Sequence, residues 1–372
     1  MKYNKIVTSF LSATITGLLL SSCTPSAENI PVENKFGSLP TTIKDPADNP
    51  GTPEKIELGR LLFWDPILSG NKDIACSSCH HPDLGYADNL DLSSGVGGHG
   101  LGKNRKDGTL VQRNAPTIIN TAFNGINSEG AYDPSNAVMF VDNRKNSLEE
   151  QVLEVVTSLT EMRGEVYTIE ETHAILSMRL KEIPEYVTRF NAAFGKSTEI
   201  NADKIAKVIA AYERTLIANN SRFDQYARGD NNALTNKELS GMKAFIASKC
   251  NVCHSGPMFS DYKLHNIGVA NNPRLGFVDE GAEGGKFRTP SLRNISLTGP
   301  YMHNGMEGSL RDAVAFYEDI DKSLDPDLQQ LDFEDDDTGA IVAFIQTLND
   351  DNFDKTIPAQ VPSGLKPGGN ID

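Results

Sequence analysis

Two pentapeptides carry the chemistry of this chain: Cys76-Ser-Ser-Cys79-His80 and Cys250-Asn-Val-Cys253-His254. In each, two thiols lie one helical turn apart and a histidine follows directly. Zinc could be held by two such cysteine pairs, and a redox dithiol or a disulfide needs only the cysteines. None of these requires a histidine immediately after each pair. Covalent attachment of a c-type haem does: two thioethers fasten the porphyrin, and the next residue is placed under the iron as its proximal ligand. Two covalent haems follow, one at Cys76, Cys79 and His80, the other at Cys250, Cys253 and His254. The wide separation of the two motifs implies one domain for each.

A further histidine, His99, sits inside the run SSGVGGHGLG (93–102). Imidazole is the commonest metal ligand, and glycines let a loop take more than one conformation. By itself the run is equally a plain exposed loop. The elements that must position these groups are helical. Ile205, Ile209, Tyr212 and Leu216 recur on one face, as do Leu148, Val152, Val155, Val156 and Leu159, and Ile341, Phe344, Ile345 and Leu348. Thr235 and Glu238 form a capping box ahead of Leu239, Met242, Phe245 and Ile246. Strand signals are few and short. Residues 82–116 and 255–300 are long, rich in Gly, Pro and Asn, and need something other than secondary structure to organise them, such as a large buried prosthetic group.

The 372 residues suffice for two domains, and 38% hydrophobic with 23% charged residues is ordinary for a globular protein. A formal net charge of -15 argues against nucleic acid or an anionic membrane surface as the main partner. Lys2 and Lys5 precede an apolar stretch from Ile6 to Leu20 and then Ser21-Ser22-Cys23. This reads as a secretory signal over 1–22, too short for a transmembrane helix. Leu20-Ser21-Ser22-Cys23 is similar to the bacterial lipoprotein cleavage box, so a lipid on Cys23 is expected over plain secretion, giving a periplasmic protein that meets the membrane only through that anchor. Residues 23–50, rich in Pro, Asn, Thr and Ser, read as a flexible tether.

Six ordered stretches give the chain a resemblance to the bacterial di-haem cytochrome c peroxidases and their MauG-type relatives: LGRLLFWDPILSG (58–70), ACSSCHHPDLGY (75–86), RNAPTIINTAFN (113–124), CNVCHSGPMF (250–259), FRTPSLRNISLTGPYMHNG (287–305) and SLRDAVAFY (309–317). The resemblance implies a mainly α fold of two cytochrome c-like domains with long irregular loops: 51–220 around a peroxide-reacting haem, 221–352 around an electron-transfer haem, then a tail at 353–372. It implies that His99 matches a displaceable distal ligand of the first iron, that Glu161 matches the distal acid and that Gln151 matches a nearby amide. It also implies a calcium ion held by Asn114 and the carbonyls of Thr298 and Pro300, oxygen donors that suit a hard cation. A carboxylate over the iron can move the proton that peroxide cleavage demands. Arg288 and Arg293 are expected near haem propionates, His303 near the second haem, and His81, His173 and His265 in structural or surface places.

The chain departs from that pattern twice. The second iron's distal position, a methionine in the peroxidases proper, matches Tyr317, and the MauG branch has tyrosine there. Leu310, Val314 and Tyr317 fall on one helical face, while Met258, Met302 and Met306 are rival ligands. A phenolate would favour higher oxidation states than a thioether. Where relatives carry a tryptophan between the haems, before the Asp142-x-Arg144 element, this chain has Val141 after Phe140; its one tryptophan, Trp64, lies elsewhere. The resemblance implies reduction of hydrogen peroxide with electrons from a small cytochrome c or copper protein, in a chain whose relatives are often homodimers. Peroxide-driven oxidation of a partner protein and non-catalytic electron carriage are the alternatives.

Overall fold

The computed structural model describes residue 1 and residues 36–333 and 337–372. The expected signal sequence and Cys23 lie outside the described residues. The helices are α1 (Pro53–Trp64), α2 (Cys76–Cys79), α3 (Leu148–Val155), α4 (Ile169–Lys181), α5 (Pro184–Phe194), α6 (Ala202–Glu213), α7 (Arg222–Ala227), α8 (Asn236–Ala247), α9 (Leu310–Ala315) and α10 (Thr338–Ile345). Two-residue strands β1 (Leu264–His265) and β2 (Phe287–Arg288) pair antiparallel, Leu264 opposite Arg288. The long segments 82–116 and 255–300 are otherwise irregular, apart from short 3-10 turns.

Local signals explain where helices begin. The Thr52 hydroxyl accepts the Lys55 N–H and Pro53 opens α1. Thr235 and Glu238 close the capping box at the start of α8. The face expected to run on from α3 to Leu159 stops short. Val156 caps that helix, and Leu159 turns out to solvent in a separate π-helical turn at Leu159–Arg163.

Two hydrophobic cores organise the molecule. The first joins α1, α3, α4, α5 and α6 through Leu58, Leu62, Tyr186, Ile205, Ile209 and Tyr212. The second gathers Phe223, Met242, Phe245, Phe259, Ile341 and Phe344 from α7, α8, α10 and the loop after the second Cys-x-x-Cys-His.

The cores repeat one plan. In α1, a Cβ on Gly59 would lie 1.9 Å from the Val208 carbonyl of α6; in α8, one on Gly241 would lie 2.0 Å from the Ala340 carbonyl of α10. Only glycine lets each helix pair approach so closely. After each haem motif comes an Asn in the left-handed region, Asn120 (φ 66°) and Asn294 (φ 58°). The Asn120 backbone N–H donates to Leu216 O at 2.8 Å, and its side chain brackets Ala218, donating to O and accepting from N, both at 2.8 Å. Asn294 repeats this with Leu348 O (3.3 Å) and with Asp350 O and N (2.8 and 3.2 Å). Each asparagine thus staples the loop after a haem motif to the end of the last helix of its core.

Both flanking segments differ from expectation. From Phe36 onward the supposed tether is packed: Phe36 is fully buried in the second core, stacked 4.6 Å from Phe259, and Leu39 N donates to Asp224 Oδ1 at 2.9 Å. An apolar Phe-x-x-Leu pair in a polar stretch outweighs its composition. The tail at 353–372 does not trail from the second core but returns to the first, where Phe353 and Val361 are buried. Buried Asp65 fixes it, accepting from Ser363 Oγ at 2.7 Å and from Tyr186 OH at 2.5 Å.

Gly241→Ala is expected to destabilise the protein by about 1–3 kcal/mol or more, because backbone rather than a flexible side chain blocks the added methyl. Gly308, with no atom near its would-be Cβ, should tolerate alanine. Thermal melts followed by circular dichroism decide; equal melting temperatures for the two variants would contradict the glycine contact.

Candidate active site

At the first motif, α2 is a single turn that brings Cys76 and Cys79 to one side, and His80 N donates to Cys76 O at 2.9 Å. The His80 ring places Nδ1 3.0 Å from Tyr86 O. A carbonyl only accepts, so the proton is on Nδ1 and the Nε2 lone pair is left for a metal. The second motif repeats this on a 3-10 turn: His254 N donates to Cys250 O at 2.9 Å, and Nδ1 lies 2.9 Å from Phe259 O. Tyr86 and Phe259, which supply the carbonyls, both take left-handed backbone, φ 55° and 53°. Burial pushes both imidazoles below the ordinary histidine range, which keeps them neutral as ligands must be. All four cysteines are free and half-buried. Neutral histidines with a defined tautomer, each beside two unpaired thiols, fit c-type haem.

Glu161 lies in the π-helical turn, a form frequent at functional sites. Ser158 Oγ accepts the Glu161 N–H at 3.3 Å. The turn is gripped from two sides: Gly70 N donates to Met162 O at 2.8 Å and Val96 N donates to Thr160 O at 3.0 Å. A Cβ on Gly95 would meet Thr160 O at 1.8 Å. Burial raises the Glu161 carboxyl above the ordinary range, against a hydrogen bond from Ser158 that lowers it. Its charge adds weakly to the burial that raises the Cys79 thiol in the first motif. Gln151 is half-buried on α3, ten residues before it.

His99 is not among these groups. Its side chain is 48% exposed and Nε2 lies 3.2 Å from Asp107 Oδ2. Backbone bonds between His99 and Lys106, 3.0 Å in both directions, hold it there. In this conformation the glycine run presents its histidine to Asp107, about half exposed.

Asn114 N donates to His303 O at 2.9 Å and its amide donates to Leu90 O at 2.5 Å, which turns the amide oxygen the other way. The Thr298 and Pro300 carbonyls accept no hydrogen bond from the described residues. Gly85, whose would-be Cβ lies 2.7 Å from Leu297 Cβ, brings the first haem loop against this segment.

Tyr317 lies just beyond α9, which ends at Ala315 with Phe316 as cap, so a turn rather than the expected continuous helix delivers it. Its phenol is pushed up by burial and by the Cys250 and Cys253 thiols, which places it beside the second motif. Of the rival methionines, Met258 is buried with Leu39, Phe123 and Ile126, Met306 is exposed, and Met302 is half-buried. Arg293 makes a buried ion pair with Asp224 at 2.8 Å and donates to Pro257 O at 2.8 Å, while its Nη2 is buried with no partner among the described residues. Arg288 donates to Val138 O at 2.7 Å.

His303 stacks on Phe287 at 3.6 Å, and burial lowers its pKa to about 4. His81 packs edge-on against Trp64, and His173 lies on Leu153 O. His265 is a buried imidazolium between Asp261 (3.1 Å) and Asp325 (3.3 Å).

Three groups had no sequence signal. Arg113 forks onto Asp279 at 2.7 and 2.9 Å and reaches Asp142 at 2.7 Å, tying the two halves together. Arg105, almost wholly buried, pins the His99 loop through carbonyls. Glu213 is buried on α6, where loss of solvent raises its pKa to about 8 against Arg214, and its charge is felt at Cys76. At the place of the expected tryptophan, Val141 O accepts from Arg288 N at 2.6 Å, and Arg144 covers the neighbouring Phe140 ring at 3.5 Å.

The family model for di-haem cytochrome c peroxidase matches residues 53–232. The chain is 33% identical to cytochrome c551 peroxidase of Pseudomonas aeruginosa, over 89% of this chain and 90% of that protein. It is 32% identical to cytochrome c551 peroxidase of Nitrosomonas europaea, over 96% and 95%. A solved structure of a MauG-like protein associated with microbial copper homeostasis superimposes with a TM-score of 0.68 at 26% identity, covering 84% of this chain and 95% of that one. With its duplicated Cys-x-x-Cys-His modules and mainly helical fold, the chain belongs to the di-haem cytochrome c peroxidase family.

Proposed function

We propose that this protein reduces hydrogen peroxide to water at its first haem, with electrons that a small cytochrome c or copper protein delivers to the second. The observation that carries this reading is Glu161: a half-buried carboxyl with a raised pKa on a turn clamped by Gly70 and Val96, without a counterpart described at the second motif. Cys76 and Cys79 would bind the first haem covalently with His80 as axial ligand; Cys250, Cys253 and His254 would hold the second. Haem iron, when bound, supplies the electrons that split the peroxide O–O bond.

The chain's own residues do the rest. Glu161 takes the proton from the near peroxide oxygen and returns it to the departing one, a transfer that a raised pKa favours near neutral pH. The Gln151 amide donates to and orients the bound oxygens. Asn114 and the carbonyls of Thr298 and Pro300 would hold a calcium ion between the halves, where the two carbonyls lack other donors. Export with a lipid on Cys23 would put the enzyme in the periplasm, where peroxide and small electron carriers meet.

Tyr317 supports a second reading, a MauG-like oxidation of a partner protein by peroxide, since its phenol lies beside the second motif. A phenolate on the second iron would lower its potential.

Glu161→Gln should cut peroxide turnover by about 10²–10⁴-fold while leaving haem content unchanged; full turnover in this variant would overturn the assignment. Tyr317→Met should raise the midpoint potential of the second haem in a spectroelectrochemical titration, and an unchanged potential would remove Tyr317 as its ligand.

A further inference from the structure

The glycine loop that carries His99 is held by its own backbone bonds and, from outside, by residues 368–371. Gly368 N donates to Trp64 O at 2.7 Å, and Ser78 Oγ, inside the first haem motif, donates to Gly368 O at 2.8 Å. Asn370 N donates to Asp73 O at 2.9 Å. Asn370 O then accepts from Gly100 N at 2.9 Å, next to His99, and from Arg105 Nη1 at 3.5 Å. Arg105 carries the link through the loop, donating to Gly100 O at 3.1 Å, Ser94 O at 2.6 Å and Gly95 O at 3.3 Å. Gly97 N donates to the Asp73 carboxylate at 2.9 Å. At the far edge of the loop, Gly95 and Val96 press on the Thr160–Glu161 backbone.

An unbroken series of backbone contacts therefore runs from Asn370 through the loop at 94–108 to the turn that bears Glu161. Most of its partners are carbonyls and N–H groups, so the register of the segment matters more than its side chains. Gly368 and Gly369 take left-handed backbone, φ 79° and 68°, and a Cβ on Gly369 would lie 2.3 Å from Asp73 O. Only glycine lets the segment lie this close.

We propose that residues 368–371, acting through Arg105 and the loop at 94–108, are a positioning element for Glu161: they fix the place of the turn that bears its carboxyl. This rests on the reading of Glu161 as the proton carrier. The contacts of this latch also brace the loop that carries His99 against Asp107.

Gly369→Val in the full, haem-loaded protein tests it, alone and combined with Glu161→Gln. Hydrogen exchange in the loop at 94–108 should rise, and peroxide kcat should fall about 10–100-fold with KM little changed. In the Glu161→Gln background the same change should cost nothing further, because the latch acts through that carboxyl. An equal fold-loss in both backgrounds, or a loosened loop with full kcat, would overturn the proposal. Should Gly369→Val fail to load haem, a chain stopped after Lys366 is read by the same criteria. Absence of peroxide turnover in the unaltered protein would instead sink the peroxidase reading and leave the loop exchange data to judge the latch.

Discussion

One contact repeated twice governs this molecule: a histidine Nδ1–H bonded to a backbone carbonyl a few residues further on. His80 uses Tyr86 O and His254 uses Phe259 O. The bond fixes the tautomer and aims Nε2, while burial keeps the ring neutral. It also demands a left-handed residue at Tyr86 and Phe259, and so bends each loop back over its motif. The rest of each half serves that bend. Asn120 and Asn294 anchor the next stretch of loop to a helix end, and Gly59 and Gly241 bring the helices close enough for the anchor to reach. Buried loops of this length are tolerable only because their backbone groups find such partners.

The two halves share a frame and differ in what they place on it. The first carries a carboxyl on a clamped π-helical turn; the second carries Tyr317 on a turn beyond a short helix. Peroxide chemistry needs a proton carrier, whereas electron entry does not, and the proposed division of roles rests on this asymmetry. Arg113, shared between Asp142 and Asp279, ties the halves with nearly buried, bidentate geometry. Removing one partner of such a group typically costs about 3–5 kcal/mol. Its position beside Phe287 and His303 makes the interface a stack of rings and charge rather than a tryptophan bridge.

Much of this was legible in the residues. The Cys-x-x-Cys-His spacing announces its chemistry because thioether and axial ligation leave no freedom in residue type. The capping box at Thr235 and Glu238 and the helical faces of α6 and α10 were equally plain, since local bonds and 3.6-residue periodicity set them. What stayed hidden depends on distant partners. Phe36 sits in a polar stretch, and only Phe259, Phe223 and Phe245 explain it. The segment at 353–372 has tail-like composition, yet buried Asp65 and Tyr186 wait for it. His99 pairs with Asp107 while its loop is bonded both to Lys106 within it and to Asn370 from the other end of the chain, a constraint no local pattern records. Arg105 and Arg113 read as surface charge until carbonyls and carboxylates close around them.

The most direct measurement is peroxide-dependent oxidation of a reduced small cytochrome c, comparing protein as isolated with protein first given one electron. With His99 paired to Asp107 and Glu161 clamped in place, rapid turnover is expected in both samples. Turnover in neither, with the haem spectrum still responding to peroxide, would contradict peroxide reduction as the activity and favour oxidation of a partner protein instead.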